Sequence, residues 1–501
     1  MTLAKFRDEP WKTSHRSYQA SALAMSPAPE YASSEVILSS LYRVIGFPGL
    51  FEGAVPQRGR ELDRDIQKLR NRQKPRDGAA LDADSFHMML HSALESPKLP
   101  NQSSKRFLQV TPLVPQTAVF SGSARLAGSP WSAGTLVRRM VWLGADSPEH
   151  AQRVWSALFE ALTVTKDDDI FARFLQQEID AWAGEPRWAE TPSDEDAAID
   201  NADRGTRPYP ARQLVRDLEA IIDAKGSVTR RQWTSLLEAI LRIASVSHVL
   251  WLCDVHARTW NSLKAALSGG GPTTVDEARE ALFPSAIAYL SYGDRALPTI
   301  KDRASAFLQA RLGINALLWA LDEVATPVQG GLASSAQLLR LCDSVRTSRL
   351  RLEELAVMDI FEDVQERENR AVLCRKGIGS NIMEFARHAL GQRQAANAIL
   401  RGYDQGYALR KKGSNKSSPW VVGLGPVAVL ALVHCSLAGT SGPRSVRRLA
   451  QHLSAYGITV DYHDIAQNDL GHQLRMLGLV LDSPDAESGM LLVPPFAEHS
   501  A

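Results

Sequence analysis

The sequence predicts a mainly α protein: a multi-helical body followed by a small C-terminal unit of helices with one β-hairpin. Three observations lead there. Apolar residues recur at helical spacing through most of the 501 residues, interrupted at intervals by Gly and Pro. The run LLEAILRIASVSHVLWLCDV within 236–267 is long and apolar enough for a central buried helix. From 426 to 496 the pattern reads helix, helix, helix, then two short apolar strands around a polar turn.

Composition bounds the rest. Hydrophobic residues make up 44% and charged residues 23%, which fits a globular chain and excludes the disordered and fibrous classes. Single cores stop growing by about 300 residues, so several domains are expected. With 57 basic against 56 acidic residues, no global field draws the chain to nucleic acid or to a membrane, and any such contact needs a local patch. Cys253, Cys342, Cys374 and Cys435 are far apart and form no C-x-x-C pair, which argues for a reducing compartment. The N-terminus carries Lys5, Arg7, Asp8, Glu9 and Lys12 and lacks the apolar run of a signal peptide. A cytoplasmic, bacterial chain is the reading, the latter from Ala-rich helices that favour Arg over Lys.

Residues 1–30 are polar, end in Pro27 and Pro29, and read as a flexible arm. An N-terminal mainly helical domain follows over 31–189. Ser34 caps a helix carrying Val36, Ile37, Leu38, Leu41 and Val44, which Gly46, Pro48 and Gly49 stop. Residues 60–72 give a charged helix without an apolar stripe. Between 107 and 131, β-branched residues alternate with Pro, Gly and Ser, as in a short strand or ordered loop. Helices resume at Thr135 and at Ser147, where Ser147-Pro148-Glu149 supplies a cap and an N1 proline. Val154, Trp155, Leu158, Phe159 and Leu162 form one face. Asp167, Asp168 and Asp169 suit the positive end of the following helix better than a metal.

Residues 190–209 hold Glu190, Asp194, Glu195, Asp196, Asp200 and Asp203 and read as a solvated linker. A second helical domain spans 210–400, with breaks expected at 225–226, 269–272, Pro298, 327–331 and 376–379 and no fixed-period repeat. Its long apolar run fails as a membrane span, because Arg242 sits near the middle and Glu238, His248 and Asp254 surround it. Residues 401–425 form a second linker, where Arg401, Arg410, Lys411, Lys412 and Lys416 face only Asp404, and its Gly and Ser predict mobility.

The C-terminal unit, 426–501, is the most patterned stretch. Pro426 opens a helix through Val427, Val429, Leu430, Leu432, Val433 and Leu437, and Pro443 opens a second with Val446, Leu449, Leu453 and Tyr456 inward. Ile458 to Tyr462 alternates as a strand. Asp464 then caps a third helix, with Ile465, Leu470, Leu474 and Leu477 inward, and a hairpin follows around the turn 482–489. Over 426–496 this order resembles the winged-helix superfamily, on pattern rather than on signature residues. The resemblance implies a recognition helix that offers Gln467, Asn468, His472, Gln473 and Arg475 to duplex DNA. Arg444, Arg447 and Arg448, with Arg410, Lys411, Lys412 and Lys416, would then clamp phosphates. Charge opposes this: in 426–496 four arginines against six acids leave a formal −2. Winged helices also serve as protein-docking modules, and both readings stay open.

Catalytic signatures are missing. No P-loop, G-x-S-x-G elbow, H-E-x-x-H helix or kinase set occurs. Gly269, Gly270 and Gly271 lack a following Lys and read as a loop. Cys253 and His256 share a helix face, but no second pair completes a metal site, so core roles suit them better. The tryptophans read as core, except Trp420 beside the basic linker. The expectation is a non-catalytic subunit, without cofactor or metal, of a bacterial DNA-associated assembly, with antiviral defence suggested by its architecture alone. Its partners would be DNA, other protein subunits or both, with homo-oligomers compatible and no membrane contact. A transcriptional regulator with a ligand-binding helical body and an enzyme with a site assembled from distant residues are the alternatives.

Overall fold

A computed structural model describes residues 2–21, 23–25, 30–32, 36–50, 75, 78–95, 110–120, 125–130, 132–184, 186–192, 203, 207–326, 328, 332, 334–375, 378–392, 404–413, 415, 417–483 and 490–496. The chain is mainly helical. The predicted charged helix 60–72, Ser34, Arg401, Lys416 and most of the turn 482–489 lie outside the described residues.

The first elements contradict the flexible arm. Helix α1 (Leu3–Asp8) and α2 (Arg16–Gln19) are ordered, and Leu3, Phe6, Tyr18, Leu23 and Met25 are buried. These residues are too irregularly spaced to show a period, yet each fills a slot on the body. Strand β1 (Glu30–Ala32), α3 (Ile37–Gly46), α4 (Ala83–Leu94), a 3-10 turn over Pro115–Val119 and β2 (Arg125–Pro130) come next, with β1 and β2 antiparallel. Helix α5 (Ala133–Gly144) starts from a Ser132 cap, α6 (Pro148–Leu162) from Ser147, and α7 (Ile170–Ala183) from Asp169.

Of the acidic stretch, Asp194, Glu195, Asp196 and Asp200 lie outside the described residues, Glu190 is exposed, and Asp203 departs from the solvated reading. The amides of Ala189 and Thr191 donate to the Gly46 and Ile45 carbonyls at 2.9 Å each. Asp203 is buried and accepts from the Ser335 amide at 2.7 Å, so this acid serves a helix N-terminus.

Helix α8 (Pro210–Asp223) leads into α9 (Arg230–Leu267), a 38-residue helix opened by a Thr229/Gln232 capping box. Helix α9 is buried around its circumference over its apolar stretch, as expected for a helix without a polar face. It is about 57 Å long at 1.5 Å per residue. Helix α10 (Val275–Leu282), β3 (Leu290–Ser291) and α11 (Ala296–Glu323) follow. Pro298 does not break the chain there, because it lies in the first turn of α11, where its missing N–H is not needed. Both α9 and α11 are long and apolar enough to cross a membrane by length and composition, but their apolar windows are 100% and 83% buried inside the protein. Helices α12 (Ser335–Thr347), α13 (Arg349–Glu354), α14 (Val357–Arg367), α15 (Asn369–Val372) and α16 (Ile378–Arg387) complete the body.

The basic linker is also structured. Strand β4 (Leu409–Lys411) pairs antiparallel with β5 (Trp420–Val422), and Leu409, Val421, Val422 and Leu424 are buried. Asp404 is buried against Arg242 of α9, with Nη1 to Oδ1 at 2.6 Å. The Gly and Ser of this linker predict mobility, but Leu409 and the continuous run 421–425 are buried against the body.

The C-terminal unit comprises α17 (Pro426–Leu437), β6 (Arg444–Ser445), α18 (Arg447–Ala455), β7 (Ile458–Thr459), α19 (Asp469–Met476), β8 (Val480–Asp482) and β9 (Met490–Leu492). Strands β6, β9 and β8 form an antiparallel three-stranded sheet in that order. Two starts differ from expectation. Pro443 precedes a strand rather than opening a helix, and the third helix begins at Asp469, not after Asp464.

Candidate binding surface of the C-terminal unit

The unit does not hang from the body; it is built into it. Helix α17 packs on α8 and α9, and β7 pairs in parallel with β3. Asp217 of α8 gathers three donors: Tyr456 Oη at 2.6 Å, His452 Nε2 at 3.0 Å and Gln213 Nε2 at 2.8 Å. Burial pushes the Tyr456 hydroxyl well above its ordinary pKa, and the Asp217 charge adds to it. Tyr456 therefore stays a neutral donor, and the network pins the second helix of the unit.

The predicted base-reading residues do not form one exposed row. Gln467 lies in the turn before α19, and Asn468 is that helix's N-cap, its side chain accepting from Leu470 N at 2.8 Å and Gly471 N at 3.2 Å. Gln473 is half-buried, and His472 is exposed. The helix starts late because residues 461–467 fold back beneath it. A Cβ on Gly471 would sit 1.9 Å from the Ile465 carbonyl oxygen, so only glycine permits this approach.

Some of the predicted DNA-contacting cations, from the clamp and from the recognition helix, hold internal partners. Arg410 reaches Asp469 at 2.9 Å. Arg475 pairs with Asp482 at 3.1 Å and donates to the Ala466 carbonyl at 2.8 Å. Arg448 donates from Nε to the Ser436 carbonyl, Lys411 lies 5.7 Å from the Trp420 ring, and Arg447 lies 5.5 Å from the Tyr462 ring. Arg444, Arg447 and Lys412 are the exposed cations of the predicted set with no carboxylate partner among the described residues. Charges that already hold an intramolecular partner contribute little to a phosphate contact until that pair is broken.

Apolar exposure is the feature that the sequence did not reveal. Met476, Leu477 and Leu481 are 74%, 38% and 53% exposed. Helical periodicity put Leu477 on the inner face, but α19 ends one residue earlier, so no sequence signal marked it.

Elsewhere, a cavity of about 680 Å³ beside α7 is lined by Gln116, Thr163, Arg173, Gln176, Gln177 and Trp188, among others. The Thr163 hydroxyl donates to the Phe159 carbonyl and accepts from Trp188 Nε1, each at 2.8 Å, so this hydroxyl is paired with no general base. Cys253 and His256 are buried, and burial raises the thiol and lowers the imidazole to about 4. His256 faces the Leu252 carbonyl at 2.6 Å and Tyr18 Oη at 3.0 Å, which are core contacts. Among the described residues no cluster of three or more His, Cys, Asp or Glu is arranged to hold a metal.

Comparison of the chain with protein-family models, curated proteins and solved structures finds no match.

Proposed function

We propose that this chain is a non-catalytic, mainly helical subunit whose C-terminal unit is a winged-helix module used for protein docking. Two features support the winged-helix reading. One is the element order of helix, strand, helix, helix and hairpin, apart from the short β7 that pairs with the body. The other is the sheet order β6-β9-β8. The choice of docking over DNA rests on one observation. Arg410 and Arg475 are held by Asp469 and Asp482, while Met476, Leu477 and Leu481 face solvent on and just after the helix that would otherwise read bases.

DNA contact is the second reading, favoured by the exposed Arg444, Arg447 and Lys412. Fluorescence anisotropy with labelled duplex DNA across a salt series separates the two. Because the unit shares the Asp217 network with the body, the comparison uses R444E/R447E in the full chain rather than a truncation. Docking predicts no salt-sensitive binding in either protein. Salt-sensitive binding that the double variant abolishes overturns docking in favour of DNA.

A further inference from the structure

No further inference is drawn: the strongest candidate, the cleft of about 680 Å³ lined by α7 and the turn that holds Gln116, carries nothing, because the unpartnered Gln116 Oε1 is sealed beneath its surface and its charged side chains, Arg173, Asp180 and Arg187, are exposed and of both signs, so nothing in the structure shows what fills it.

Discussion

Tyr456, the C-cap of α18, donates a 2.6 Å hydrogen bond to Asp217 of α8, 239 residues earlier in the chain. The C-terminal unit is thereby fixed to the body through a buried carboxylate. Y456F removes one donor from that carboxylate and should cost about 1.5–3 kcal/mol, the range for a hydrogen bond to a charged group. Urea unfolding followed by circular dichroism measures it. An unchanged midpoint would show that Asp217 is satisfied without Tyr456.

A second buried anchor is the Arg242–Asp404 pair, which joins α9 to the segment entering β4. Arg242 also donates from Nε to the Ala389 carbonyl. R242M leaves Asp404 buried without its cation and should destabilise by about 3–5 kcal/mol. The double change R242M/D404L should recover much of that loss, because the desolvation penalty then disappears from both sides. Unfolding midpoints of the two variants decide it.

Acid should unfold the protein through its buried histidines. Burial lowers His248 and His388 to about 3 and His256 to about 4, from an ordinary 6.5. Below pH 6.5 the unfolded chain binds protons that the folded one refuses. Stability from these residues is thus complete above pH 6.5 and is lost as pH falls toward 4 and then 3. Among the described residues neither ring nitrogen of His248 has a hydrogen-bond partner, so H248F should keep the fold and flatten the decline. Unfolding midpoints measured from pH 7 to pH 4 for both proteins test this, and parallel curves would sink it.

Close helix packing supplies a fourth prediction. A Cβ on Gly144 would lie 2.1 Å from the Ala211 carbonyl oxygen, whereas one on Gly270 meets its nearest atom at 3.5 Å. G144A should therefore cost about 1–3 kcal/mol by overpacking a backbone contact, and G270A should be near neutral. Thermal melts of the pair provide the comparison.

Much of the fold was legible. Ser147, Pro148 and the face Val154, Trp155, Leu158 and Leu162 form α6 as their spacing implies, and the apolar run of 236–267 lies within a central buried helix. Segments with sparse apolar residues were misread. Residues 1–30 read as flexible because they are polar and patternless, and 401–425 because of their Gly and Ser, yet the helix Leu3–Asp8 packs on α11 and Asp404 pairs with Arg242 of α9. The candidate site was legible as a unit but not as a surface. Asn468 is also a good cap, and Arg410 and Arg475 also have acids in reach, and no local pattern tells which role a side chain takes.

By itself the sequence determined the helical class, the buried course of α9 and the helix-and-hairpin pattern of 426–496, because periodicity and end signals act within a few residues along the chain. Only the tertiary structure decided where the charges and the exposed apolar side chains stand. Asp469 meets Arg410 and Tyr456 meets Asp217 across dozens to hundreds of residues, and whether a polar group is offered to a partner or consumed internally depends on those meetings.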